Sequence, residues 1–177
     1  MQRRDFLLGA LAAAAATAAP GIVQAKIASR PQQLSLYHTH TSESLDIQVG
    51  SLDQVSGDAH GRLNRFLRDF RTEEVYGIDP ELFKLLTDLK QRAGNPDGVF
   101  EIISAYRSPK TNNMLRGKSG GVARKSLHMQ GKALDIRLRG TPTSTLRDLA
   151  INLKRGGVGY YRSSDFIHVD TGRVRRW

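Results

Sequence analysis

Apolar and polar residues alternate over Leu34-Ser35-Leu36-Tyr37-His38 and again over Leu45-Asp46-Ile47-Gln48-Val49, the period-two pattern of half-buried strands. The polar stretch Thr39–Ser44 between them predicts a hairpin with His38 and His40 at its tip. The period then lengthens. Within Ala59–Arg71, Leu63, Phe66, Leu67 and Phe70 fall at helical spacing. Asp79 and Pro80 supply an N-cap and a first-turn proline for a second helix. Its stripe is Leu82, Phe83, Leu85, Leu86 and Leu89, and Gly94 ends it. Both stripes predict core packing. Val99–Ala105 reads as a central strand running into Tyr106-Arg107-Ser108-Pro109, with a short helix through Asn112, Asn113, Met114 and Leu115. Ala133–Arg139 is another strand. A third helix follows Thr141 and Pro142, with Leu146, Leu149, Ala150 and Leu153 as its stripe and Gly156-Gly157 as its stop. Val158–Tyr161 and Phe166–Asp170 predict a last hairpin around Arg162–Asp165, and Trp177 packs back on the domain. Hairpins and helices without a βαβ rhythm indicate an α+β fold in one domain, with a small antiparallel sheet and helices packed on one side.

Residues 1–25 stand outside this pattern. Arg3-Arg4 precede Phe6-Leu7 and an alanine-rich run to Ala19, and Val23-Gln24-Ala25 ends in small residues. That is the layout of a signal peptide of twin-arginine type, with residues 26–177 as the mature domain and Lys26–Gln33 as a loose polar lead. The run is too short and alanine-rich to favour a membrane anchor. Without Arg3, Arg4 and Asp5 the chain keeps 25 basic and 16 acidic residues, a net charge of +9. Such a charge favours a polyanionic partner. No nucleic-acid module is present, and for an exported protein an acidic polymer outside the cytoplasm fits better.

Candidate chemistry lies in Ser126-Leu127-His128-Met129-Gln130-Gly131-Lys132-Ala133-Leu134-Asp135 and in Asp165-Phe166-Ile167-His168-Val169-Asp170. These offer two imidazoles and one carboxylate for a single zinc ion, with a fourth position open as in catalytic zinc sites. There is no cysteine, so any metal takes nitrogen and oxygen ligands. The H-E-x-x-H pattern is absent, and seven residues from His128 to Asp135 is not one helical face. His128 therefore belongs to a loop, Asp135 to the next strand and His168 to a second strand, on which Phe166, His168 and Asp170 share a face. His38 and His40 also lie two apart on one face, but tip histidines are commonly solvated or hydrogen-bonded. Gly117–Lys125, rich in glycine and basic residues, reads as a loop approaching the site, without P-loop spacing.

At these residues the chain resembles the zinc peptidases of the D-Ala-D-Ala carboxypeptidase and hedgehog-like type, most closely their YcbK-like (MepK-like) murein endopeptidases. The resemblance rests on Ser126-x-His128-x-x-Gly131-x-Ala133-x-Asp135 and Asp165-x-x-His168-x-Asp170. Ser104-Ala105-Tyr106-Arg107-Ser108-Pro109, Val158–Tyr161 and the ending Asp170–Trp177 extend it over the mature chain. It implies a periplasmic zinc endopeptidase that cuts peptide cross-links in peptidoglycan, with 3–3 diaminopimelate links preferred. It implies His128, Asp135 and His168 as ligands and Asp165 as general base. Arg107 would meet the charge developing on the substrate carbonyl, and Arg107, Tyr106 and Asn112 would contact substrate. Ser126 and Asp170 would support the ligands from outside, Asp170 by accepting an imidazole N–H.

Other readings stay open. Asp165 also fits a plain turn-former and Arg107 a plain salt-bridge partner. The same fold can serve as a carboxypeptidase or dipeptidase acting on D-Ala termini, or as a non-catalytic zinc-containing cell-wall binding module.

Overall fold

In the strand Ala133–Leu138, Leu134, Ile136 and Leu138 are buried on one face while Asp135 points to the other; in Phe166–Asp170, Ile167 and Val169 alternate with His168 and Asp170 in the same way. One face of the sheet is thus hydrophobic core and the other carries the titratable groups. The structure, a computed structural model, describes residues 32–49, 57–118 and 120–177; the expected signal segment and the polar lead up to Pro31 lie outside the described residues.

The strands are β1 (Gln32–His38), β2 (Ser44–Val49), β3 (Val99–Ser104), β4 (Ala133–Leu138), β5 (Gly157–Tyr161), β6 (Phe166–Asp170) and β7 (Arg175–Arg176). The helices are α1 (Gly57–Phe66), α2 (Pro80–Arg92), α3 (Pro109–Lys118) and α4 (Thr143–Leu153). All strands join one seven-stranded sheet in the order β2-β1-β3-β4-β6-β5-β7. The fold is α+β as expected, but the sheet is not wholly antiparallel, since β1 pairs with β3 and β5 with β7 in parallel. Side chains of α1, α2 and α4 cover the apolar face, where Leu63, Leu82, Phe83, Leu86 and Leu146 meet Leu36, Phe100, Ile136 and Ile167. Each such side chain contributes about 1.5–3 kcal/mol by leaving water.

The first helix ends at Phe66, five residues before its pattern runs out. Asp69 captures the chain there. Its carboxylate accepts from Arg71 N at 3.0 Å and from Ser108 N at 2.8 Å, a local turn that competes with helix. Phe70 is thereby freed to stack on His40, with ring centroids 4.3 Å apart.

His38 is fully buried at the end of β1. Its Nδ1 accepts from the backbone N–H groups of His40 and Thr41, each at 3.3 Å, and its ring packs edge-on against Phe66 and Phe70. A hydrogen-bonding role therefore replaces the metal alternative at the hairpin tip. Burial, then the neighbouring His40, pushes its pKa down to about 4. The unfolded chain takes up this proton near its ordinary pKa of about 6.5, so it binds more protons than the fold between those values. Stability is therefore expected to rise with pH across that window and to lose about 3 kcal/mol on going down through it. Urea unfolding at pH 7 and pH 4 tests this. The fall should shrink in His38→Phe; an equal fall there would assign the dependence to other groups.

Candidate metal centre

His128 comes from a 3₁₀ turn, Leu127–Gln130, that Ser126 caps by accepting the His128 N–H at 3.4 Å. The turn closes at Gly131 with φ +64°, where a Cβ would lie 2.1 Å from the Gly77 carbonyl oxygen; only glycine fits. The Gly131 carbonyl in turn accepts from Asp79 N, and Asp79 Oδ2 accepts from Thr171 Oγ1 at 2.7 Å. The cap of α2 thus braces both sides of the site. The chain then enters β4, where Asp135 lies directly across from His168 in antiparallel β6. Cross-strand partners point to the same face.

Three atoms converge from these elements. His128 Nε2 lies 3.2 Å from His168 Nδ1 and 3.3 Å from Asp135 Oδ1, and His168 Nδ1 lies 3.0 Å from the same oxygen. The outer ring nitrogens are engaged elsewhere. His128 Nδ1 is 2.7 Å from the Ala105 carbonyl, which can only accept, so this nitrogen carries the proton. His168 Nε2 donates to Asp170 Oδ2 at 3.0 Å. Two neutral imidazoles held this way aim two lone pairs and a carboxylate oxygen at one point. A proton on His168 Nδ1 or a metal cation relieves the repulsion within such a set, and its donors match the nitrogen and oxygen chemistry of a divalent metal. Among the described residues this is the group of three such side chains that could hold a metal ion.

The surroundings tune each candidate ligand. Burial opposes the charge on Asp135, yet His128, His168 and Arg107 outweigh it and hold its carboxyl well below the usual range. Burial, reinforced by Arg107, pushes His128 down and favours the neutral ring that ligation needs. Burial also opposes a proton on His168, but Asp135 and Asp170 outweigh it and raise that pKa. Asp170 is itself fully buried, accepting from Gly157 N and Gly172 N at 2.9 Å each and from Arg175 at 3.0 and 2.6 Å. It thus accepts from the His168 ring on the strand face that the two residues share.

A cavity of about 480 Å³ opens over the triad. Arg107, Ser126, Leu115, Tyr161, Phe166 and Trp177 line it, and a bound group would meet both charge and aromatic surface.

The profile of the family described as peptidoglycan L,D-endopeptidase MepK matches residues 26–177. The chain belongs to this MepK family. Peptidoglycan L,D-endopeptidase MepK of Escherichia coli K12 is 38% identical over 176 residues, covering 99% of this chain and 96% of the relative. The probable MepK of Haemophilus influenzae is 38% identical over 159 residues, covering 89% and 86%. No solved structure matches the chain significantly.

In this MepK-family chain the other expected site residues divide. Arg107 reaches the cavity, donating through Nη2 to Asp135 Oδ2 and through Nε to Ser104 Oγ at 2.8 Å. Ser126 lines the cavity and shapes the His128 turn. Tyr106 does not line it; the ring is buried and stacks on Tyr76 at 4.9 Å. Asn112 is fully buried as well, and its Nδ2 donates to the Ala123 carbonyl at 3.2 Å, so it ties α3 to the loop.

Asp165 is turned away. It has φ +49°, accepts from Thr143 Oγ1 at 2.7 Å and faces Arg137 at 3.5 Å, beside a separate groove at the end of β4. It precedes β6 as the left-handed residue that ends the 3₁₀ turn Arg162–Ser164, and it does not line the cavity over the triad. In the fold Asp165 is a turn residue that steadies the start of α4. Asp165→Asn is expected to leave metal content unchanged and, with the side chain turned from the triad cavity, turnover near that of the wild type. A tenfold or greater fall in a folded, metal-loaded variant would restore the catalytic role. The sequence assigns no role to the Ala105 carbonyl or to Arg175, because both act through atoms that only folding brings close.

Proposed function

We propose that the chain is a zinc-dependent peptidoglycan endopeptidase that hydrolyses L,D peptide bonds, those of 3–3 diaminopimelate cross-links above all. The observation that carries this reading is the convergence of His128 Nε2, His168 Nδ1 and Asp135 Oδ1 beneath an open cavity, in a chain of the MepK family. Bound by these three, zinc supplies Lewis acidity towards a peptide carbonyl and makes a nearby water more acidic. The chain's own groups do the rest. Ala105 and Asp170 fix both imidazoles in the ligating tautomer. Arg107, anchored by Asp135 and Ser104, presents a fixed cation where the carbonyl oxygen gains charge. Arg116, Lys118, Arg124 and Lys125 are exposed around the α3 end and the following loop, and attract the stem-peptide carboxylates.

A 3–3 link joins the L-centre of one diaminopimelate to the D-centre of the next, whereas a 4–3 link starts from D-Ala. Purified dimers of each kind, and pentapeptide monomers ending in D-Ala-D-Ala, are therefore offered separately to the zinc-loaded protein. Cleavage of the 3–3 dimer, abolished by a chelator and restored by zinc, is expected. Cleavage confined to the monomers would establish a carboxypeptidase, and binding to sacculi without any cleavage a wall-binding module. This work belongs in the periplasm, reached by the twin-arginine route that Arg3 and Arg4 suggest. Arg3→Lys with Arg4→Lys should retain the precursor in the cytoplasm; unchanged export would point to the general secretory route.

A further inference from the structure

With Asp165 turned away, the residues lining the cavity carry one carboxylate, Asp135, and it belongs to the triad. The groups left to act on a substrate there are hydrogen-bond donors. Ligand strands β4 and β6 lie between β3 and β5 in the sheet. Arg107 reaches the cavity from the β3 side, and Tyr161, the last residue of β5, lines it from the other. Tyr161 pairs with Phe166, two residues before His168 and on the same face, and the two rings stack at 4.6 Å.

The direction of the Tyr161 proton follows from Trp177. The indole Nε1–H lies 3.2 Å from the Tyr161 hydroxyl, and an indole N–H can only donate. The phenol oxygen is therefore the acceptor in that bond, and its own proton points elsewhere. Among the described residues no side chain or carbonyl accepts it, and Tyr161 lines the cavity. Trp177, itself half exposed, is tied to β5 through its backbone. Its backbone exchanges bonds with Tyr160 N at 3.0 Å and Val158 O at 3.2 Å, and the Arg175 guanidinium lies 5.0 Å from its ring centre. Gly159, opposite His168, leaves the space the indole fills; a Cβ there would come within 2.6 Å of it.

We propose that Tyr161 is a catalytic hydrogen-bond donor to the carbonyl oxygen of the scissile peptide, set opposite Arg107, with Trp177 as the positioning residue that turns its proton inward. The two donors grip the oxygen from both flanks as it takes on negative charge, and no proton leaves the phenol. The proposal rests on the endopeptidase reading.

Tyr161→Phe keeps the stack on Phe166 and removes only the hydroxyl. It is expected to lower kcat on the 3–3 dimer by about 100-fold, the loss typical of one oxyanion donor. KM, zinc content and the melting temperature should stay as in the wild type. Binding of a phosphinic peptide, whose tetrahedral oxygens mimic the charged carbonyl, should weaken by a similar factor, while binding of an uncleaved L,D-peptide amide analogue should not. Trp177→Phe, lacking the indole donor, should lower kcat by a smaller factor in the same direction. A Tyr161→Phe enzyme with kcat and phosphinate affinity unchanged would overturn the assignment, as would a loss that merely tracks falling zinc content or stability. Failure of the zinc-loaded wild type to cut any cross-link would overturn the endopeptidase reading itself, and this role with it.

Discussion

His128→Ala and His168→Ala are each expected to leave the protein folded, strip it of metal and reduce cross-link cleavage to background. The fold should survive because the triad lies on the sheet face opposite the core of Leu134, Ile136, Ile167 and Val169. The metal should not, because two remaining donors hold zinc poorly where catalytic sites use three. Loss of one outer hydrogen bond already weakens such sites by about 10–100-fold, and removing a ligand exceeds that. His168→Ala has a further consequence. It removes the imidazole between Asp135 and Asp170, leaving the carboxylates held by Arg107 on one side and by Arg175 with two backbone amides on the other. Metal analysis beside circular dichroism checks both variants. Full zinc occupancy in either would remove that residue from the ligand set.

Asp170→Ala is expected to cost both stability and metal. Five contacts end on this buried carboxylate: Gly157 N, Gly172 N, two from Arg175 and His168 Nε2. Removing it strands the two amides, an imidazole N–H and a partly buried guanidinium, and breaking a buried ion pair from one side costs about 3–5 kcal/mol. For a chain of this size that lowers the melting temperature by roughly 6–20 °C. Zinc affinity should fall by about 10–100-fold, because His168 loses the group that fixes its tautomer. Asp170→Asn, which keeps one acceptor oxygen, should fall between. The carboxyl also titrates with a definite sign. Burial opposes its charge, but His168, Arg175 and the amides outweigh this and depress its folded pKa. Its contribution is thus complete above the unfolded value of about 4 and is lost as pH falls below it. A calorimetric melt of Asp170→Ala coinciding with wild type would show that the hub contributes nothing measurable.

Strand alternation made much of the site legible. The apolar residues at 134, 136, 167 and 169 declare the core face, so Asp135, His168 and Asp170 fall together on the other. The same rule is silent on Asp165, which precedes the strand and takes its direction from a left-handed backbone. Asp79-Pro80 and the apolar stripe announced α2 with its observed start. Local chemistry sufficed wherever the deciding partners lie within a few residues.

The remainder was settled by partners far apart in the chain. The parallel β1–β3 pairing, with Thr39 N bonded to Ile102 O at 3.0 Å, joins segments 63 residues apart that no local propensity relates. Tyr106 and Asn112 sit beside Arg107 in sequence, yet Tyr106 is drawn under Tyr76 and Asn112 to the Ala123 carbonyl. The Ala105 carbonyl selects the His128 tautomer across 23 residues, and Trp177 orients the Tyr161 hydroxyl across 16. The sequence by itself determined which side chains share a face, because strand geometry alternates with a fixed period of two. Only the tertiary structure decided which way each proton and each donor points, because a hydrogen bond depends on its partner's position in space to within a few tenths of an ångström.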